Sequence, residues 1–213
     1  MKDQKILGVI PARGGSKEVP RKNLEKIGSK TLVERALLSA NDSKLLTRFV
    51  VSTDDEEIYK HCKDIGFEPP FVRPLEIAQD ESSSFDVIRH AYEWFRDQEK
   101  WSADILVILQ PTTPFREGVH IDGTIALLDS IEVDAAIAIT KPDYPPFWML
   151  TVDETKSLTS LITGGNQYLR RQDAPDAFKP SGAVYAFRPD LLEELNTLFP
   201  VGNTKGFYME PLK

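Results

Sequence analysis

The segment from Pro11 to Asn23, Pro-Ala-Arg-Gly-Gly-Ser-Lys-Glu-Val-Pro-Arg-Lys-Asn, holds the densest set of anion-binding groups in the chain. Arg13, Lys17, Arg21 and Lys22 place four positive charges within ten residues. Gly14 and Gly15 stand among them and let the backbone turn sharply and approach a ligand closely. Backbone N–H donors together with several cations are what a triphosphate demands. The spacing is neither the Walker-type GxxxxGK[ST] nor the dinucleotide fingerprint GxGxxG. The plain alternative is a solvated basic turn that binds nothing. Its place directly after a first strand, in a protein of net charge −7, favours the phosphate site.

A second loop, Leu109-Gln-Pro-Thr-Thr-Pro-Phe-Arg116, is stiffened by Pro111 and Pro114. Gln110, Thr112, Thr113 and Arg116 are expected to present polar groups from fixed positions. Taken alone, this is an ordinary strand exit with turn residues. Its expected position on the same rim as the Gly-Gly loop is what raises it to a site.

Both loops need a scaffold, and hydrophobic patterning supplies one. Continuous apolar runs predict buried strands at Ile6–Ile10, Phe49–Val51, Ile105–Leu109 and Ala135–Ile139, with a further one at Ser181–Phe187. Helical spacing joins Leu32, Val33, Ala36, Leu37 and Ala40, then Ile58, Cys62 and Ile65 before Gly66. It continues through Val87, Ile88, Ala91, Tyr92 and Phe95, and through Ile121, Thr124, Ile125, Leu128 and Ile131. Thr53 and Asp54 are expected to cap the second helix. Asp190 to Leu198 reads as helical, and Phe67 to Asp80, with three prolines, as an irregular loop. Strand–helix alternation means an α/β fold with a mostly parallel sheet covered on both faces, whose ligands bind beyond the carboxyl ends of the strands. That selects Pro11–Asn23, Thr53–Asp55 and Gln110–Arg116. After Lys141 the pattern changes, and the second half reads as a layer added to the sheet. Phe147, Trp148, Phe199 and Phe207 either cover a partner subunit or fill the core.

Composition bounds the remaining classes. The chain has 213 residues, 41% hydrophobic and 28% charged, which fits a single domain. The acidic balance argues against broad nucleic-acid binding. No apolar run approaches the roughly 18 residues of a membrane helix. No signal-peptide pattern opens the chain, and one cysteine excludes an internal disulfide framework, so a reducing cytoplasm is the expected location. His61, His90 and His120 are too far apart in sequence to make a metal motif.

Pro11-Ala-Arg-Gly-Gly-Ser-Lys17 followed by Pro20-Arg-Lys-Asn23 resembles the opening motif of the acylneuraminate cytidylyltransferases, the CMP-sialic acid synthetases. The resemblance runs on through Val51-Ser-Thr-Asp54, Arg73-Pro74, Ala78-Gln-Asp-Glu-Ser-Ser-Ser84 and Leu109–Arg116. It resumes at Arg170-Arg-Gln-Asp173 and Pro180-Ser-Gly-Ala-Val-Tyr185. It implies a Rossmann-like sheet of the nucleotide-diphospho-sugar transferase type, carrying an extension at about residues 141–200 that swaps into a homodimer. It implies CTP and a nonulosonic acid as substrates, N-acetylneuraminate first and legionaminate or another such sugar next, with Mg2+ as cofactor. A CTP-binding protein without catalysis is the alternative from another class.

Residue by residue, the resemblance assigns Arg13, Gly14, Ser16, Lys17, Lys22 and Asn23 to the CTP phosphates or cytidine, and Arg73, Ser82 and Ser84 to further nucleotide contacts. It assigns Gln110 and Tyr185 to the sugar, and Arg171, with Arg170, to the sugar carboxylate. Lys22, Arg170 and Arg171 are the expected catalytic set. The family's Mg2+-binding aspartates follow the equivalent of Tyr208–Lys213 and so are expected beyond these residues. A form carrying them is expected to respond more strongly to Mg2+. Glu18, among the cations, departs from the family pattern and is expected to pair with Arg21 or Lys22. Trp148 stands near a position that carries a lysine in some members.

Overall fold

The computed structural model describes residues 4–15, 19, 21–79, 81–192 and 202–210. In chain order the elements are β1 (Ile6–Pro11), β2 (Lys26–Ile27), β3 (Lys30–Thr31), α1 (Leu32–Asp42), β4 (Arg48–Ser52), α2 (Glu56–Asp64) and α3 (Ser84–Gln98). There follow β5 (Ile105–Ile108), α4 (Gly118–Ala126), β6 (Ala135–Thr140), β7 (Leu150–Val152), β8 (Leu158–Ser160), β9 (Lys179–Phe187) and β10 (Thr204–Tyr208). Six of the strands form one sheet in the order β10-β6-β9-β5-β1-β4. β1 pairs in parallel with β4 and β5, and β10 with β6; β9 alone runs antiparallel to its neighbours. The expected mostly parallel α/β sheet is present.

Alternation along each strand sends side chains to two cores. Ile6 and Ile10 of β1 and Ile105 and Val107 of β5 pack with α1, α2 and α4. Leu7, Val9, Leu106 and Ile108 face the other way, onto Phe85, Ile88, Ala91 and Phe95 of α3. Burial of both faces explains why these strands read as unbroken apolar runs.

Helix ends set the loops of the rim. Asp55, not Thr53 or Asp54, caps α2: its Oδ1 accepts from the Glu57 and Ile58 N–H groups at 2.9 Å each. Asp54 is thereby free to serve the Gly14 loop instead. Beyond α2, the N–H groups of Gly66 and Phe67 donate to Lys63 O and Cys62 O, closing the helix in a Schellman arrangement. Ser83 and Asp86 form a capping box at the start of α3. α4 ends at Ala126, so Ile131, expected on its buried face, is 79% exposed.

The second half is not an added layer. β9 lies between β5 and β6 in the centre of the sheet, and β10 forms its edge. Only the stretch between β6 and β9 stands apart, carrying the β7–β8 hairpin. There Trp148, Leu150, Val152, Leu158 and Leu161 are exposed, while Phe147 packs edge-on against Tyr168 with ring centroids 5.0 Å apart. Phe207 instead packs over the bare face of Gly123 in α4. Asp190 begins within a short 3-10 turn, Pro189–Leu192, and the rest of the expected helix, with Phe199, lies outside the described residues. No helix among the described residues is long and apolar enough to cross a membrane.

Candidate active site

Because β1, β4 and β5 are mutually parallel, their carboxyl ends open on one edge of the sheet. A cavity of about 290 Å3 lies there. Arg13, Lys22, Asn23, Arg73, Ser82, Ser84 and Gln110 all line it. Residues separated by nearly 100 positions in sequence are brought to one place, as the motif reading expected.

The Gly-Gly loop is fixed from three directions. The Ala12 N–H donates to Ser52 O at 2.9 Å, continuing the β1–β4 pairing past the strand. The Gly14 N–H donates to Asp54 Oδ1 at 3.2 Å. Asn23, 8% exposed, donates from Nδ2 to Arg13 O at 2.9 Å and so ties the end of the loop to its beginning. Lys22 opens a short 3-10 turn, Lys22–Leu24, entered through Arg21 in the left-handed conformation with φ 53°. Arg21 itself turns away and pairs with Glu57 on α2. Among the described residues nothing lies within 4 Å of where a Gly15 Cβ would sit, and Gly15 lines the cavity. Ser16, Lys17 and Glu18 lie outside the described residues.

Arg73 forms the floor. Its main-chain N–H donates to Thr53 O at 2.7 Å, Nε donates to Ser52 Oγ at 3.1 Å, and Nη2 donates to Ser52 O. Burial pushes its guanidinium down to about 10, with Asp54 pulling it up and Arg13 pushing it further down, so it stays cationic at neutral pH. The Arg13 guanidinium donates to Gln79 O at 2.9 Å. Gln79 and Ser83 also line the cavity, and neither was singled out from sequence. Gln79 sits within the motif block around Ser82, and the Ser83-x-x-Asp86 capping box was readable. The amino-terminal end of α3 therefore adds the positive end of its helix dipole to the cavity wall.

Three expected residues are not brought here. Tyr185 is 9% exposed in the core on the α3 side, and burial raises its phenol, so it is a packed, protonated tyrosine of β9. Strand alternation decides this, since Tyr185 pairs with Ile108, the last residue of β5, and both side chains join the core under α3. Arg170 forks onto Asp173, with N–O distances of 2.8 and 3.0 Å, the solvated pair that the sequence also allowed. Arg171 donates to Pro142 O at 3.4 Å and lines a separate cavity of about 400 Å3 with Lys141, Gln172 and Asp176.

No three His, Cys, Asp or Glu side chains among the described residues converge to hold a metal ion. Asp54 and Asp55 stand on the rim, and each already spends an oxygen on backbone N–H groups. The described residues therefore do not fit a resident Mg2+ cage.

The family model for cytidylyltransferases matches residues 7–163, which takes in the cavity and both loops. The chain belongs to the cytidylyltransferase family. Among relatives of that family, it is 30% identical to the post-translational flagellin modification protein B of Campylobacter coli, over 96% of this chain and 85% of that protein. It is 29% identical to the N-acylneuraminate cytidylyltransferase of Escherichia coli O18:K1:H7, over 85% of this chain. The matched part spans 42% of that relative's length. It is 26% identical to the CMP-N,N'-diacetyllegionaminic acid synthase of Legionella pneumophila, over 98% of this chain and 85% of that one. In fold it is similar to a CMP:2-keto-3-deoxy-manno-octonic acid synthetase complexed with CTP, with a TM-score of 0.70 at 20% identity over 97% of this chain and 90% of the other.

Proposed function

We propose that this cytidylyltransferase joins CMP from CTP to the anomeric hydroxyl of a nonulosonic acid, N-acetylneuraminate being the first acceptor to test. The observation that carries this reading is the convergence of Arg13, Lys22 and Arg73 with Asn23 and Gln110 in one cavity at the carboxyl edge of the sheet. The acceptor oxygen bonds to the α-phosphorus, and the bond to the α,β-bridging oxygen breaks. The electron pair leaves with pyrophosphate, and the hydroxyl proton passes to solvent. Such transfer depends on positioning and on neutralising charge. Arg73 and Arg13 hold the nucleotide against the floor and rim. Lys22 answers the charge that builds on the departing pyrophosphate. Mg2+ is proposed to arrive with the triphosphate.

Pyrophosphate release is expected to need both CTP and the sugar. Release with neither N-acetylneuraminate nor N,N'-diacetyllegionaminate, while CTP still binds, would favour the silent nucleotide-binding alternative. Relatives named for each of these sugars match at 26–29% identity, so an acceptor panel decides between them.

Arg171 has a role in this reading only if it serves a second protomer. We propose that the segment between β6 and β9, with its exposed Trp148, Leu150, Val152 and Leu158, packs on a partner and delivers Arg171 to the partner's sugar. Mixing an inactive Lys22→Ala protein with an inactive Arg171→Ala protein is then expected to restore roughly a quarter of wild-type activity, from the one intact composite site in each mixed dimer. No recovery after demonstrated subunit exchange would place Arg171 outside the chemistry.

A further inference from the structure

Arg116 does not do what its place in the loop suggests. Rather than facing the cavity, it is 4% exposed, and among the described residues no carboxylate pairs with it. Its donors go to three separate elements. Nε donates to Ser39 Oγ on α1 at 3.1 Å. Nη1 donates both to Gln110 O at 3.0 Å and to Ala183 O on β9 at 2.9 Å. Ser39 is itself held, since its hydroxyl donates to Ala36 O at 2.8 Å. A buried cation satisfied only by neutral oxygens is costly, and burial pushes its guanidinium down to about 9. Leucine or methionine would fill the space at lower cost. What the guanidinium adds is a rigid tie between Gln110 and β9.

Gly182 completes the arrangement. It precedes Ala183 in β9, has φ 77°, and a Cβ there would lie 3.3 Å from Gln110 Oε1 and 3.2 Å from Thr113 Oγ1. Gln110 is thus fixed at its carbonyl by Arg116 and the Thr113 N–H, and given room at its amide by the bare α-carbon of Gly182. The antiparallel β9 makes this possible. Running against β5 and β6, it brings residues 181–183 back to the carboxyl edge where Gln110 emerges.

We propose that Arg116 and Gly182 are positioning residues that set the Gln110 carboxamide against the acceptor sugar. This rests on the reading above that Gln110 faces the sugar. Arg116→Lys keeps the charge but cannot bridge all three acceptors. It is expected to lower kcat/KM for the sugar by about 10–100-fold, the scale of an ångström-sized misplacement. The Kd for CTP alone is expected to change less than about threefold. Gly182→Ala is expected to act in the same direction without touching Arg116.

The deciding measurement is a double-mutant cycle on kcat/KM for the sugar, pairing each substitution with Gln110→Ala. If the two residues work through Gln110, each double variant is no slower than Gln110→Ala alone. Losses that multiply, or equal losses toward CTP and sugar, would overturn the proposal while leaving the function intact. If Arg116→Lys does not fold, the Gly182→Ala cycle carries the test. A wild-type chain that binds CTP yet releases no pyrophosphate with any nonulosonic acid would overturn the functional reading, and this inference with it.

Discussion

Lys22→Ala is expected to lower kcat by about 10²–10³-fold, the usual loss for removing one well-aimed charge-stabilising donor. The cavity cations differ in how their donors are spent. Arg73 commits Nε and Nη2 to Ser52, and Arg13 donates to Gln79 O. Arg21 has left for Glu57. Lys22 lines the cavity, and among the described residues no carboxylate pairs with it. Among the described residues its three N–H donors therefore remain for a ligand. Since the side chain is partly exposed and pairs with no carboxylate among the described residues, its removal is expected to leave the melting temperature within about 1–2 °C. Lys22→Arg keeps the charge with a different geometry and is expected to recover only part of the rate. Steady-state kinetics separate the possibilities. A raised KM for CTP with unchanged kcat would make Lys22 a ground-state binder rather than a stabiliser of the leaving group.

The distinction between Lys22 and Arg21 shows where sequence reading stops. Their charges are adjacent, and nothing in composition tells which one faces the cavity. The answer lies in a left-handed Arg21 that swings its side chain to α2. The strands at Ile6 and Ile105, and the Phe49–Val51 stretch of β4, were legible because burial leaves them continuously apolar. β10 was not, because an edge strand needs little apolar sequence, and Thr204-Lys-Gly-Phe-Tyr208 shows only two large apolar side chains. The β7–β8 hairpin was missed for a related reason: its side chains are exposed, and its alternation spans just three residues per strand.

Among the expected site residues, Arg13 and Gln110 lie just past β1 and β5, whose parallel course delivers both exits to one edge. Asn23 and Arg73 come from farther along the chain and reach that edge through side-chain bonds, Asn23 to Arg13 O and Arg73 to Ser52 at the end of β4. Arg116 was grouped with the presenting residues of its loop, yet it points inward. The turn bonds Thr113 N–H to Gln110 O and Arg116 N–H to Thr113 O, which fold the chain back on itself, are invisible in sequence. Tyr185 belongs to a motif block whose neighbours Gly182 and Ala183 do touch the Gln110 loop. Within that block the Tyr185 ring joins the core under α3, while Gly182 and Ala183 meet the Gln110 loop.

Gly14→Ala is expected to weaken CTP binding by about 10–100-fold, or 1.4–2.8 kcal/mol. It is also expected to lower the melting temperature by several degrees, on the scale of overpacking. A Cβ at Gly14 would stand 2.5 Å from Asp55 Oδ2 and 2.8 Å from Asp55 Cβ. Rotating the carboxylate would relieve the first contact at the cost of the α2 cap, worth about 1 kcal/mol. The second contact involves an atom fixed to the backbone, so rotation does not relieve it. The loop would have to lift, breaking the Gly14 N–H bond to Asp54 and moving Arg13, whose carbonyl anchors Asn23. Gly15→Ala is the matched control. With nothing among the described residues within 4 Å of its Cβ, it is expected to leave the melting temperature unchanged, and any loss of CTP affinity there would come from a methyl in the cavity. Calorimetry with CTP and thermal unfolding of both variants test this. A Gly14→Ala protein as stable as wild type, with CTP affinity intact, would mean that the loop is not held against Asp55 and that its cations are positioned some other way.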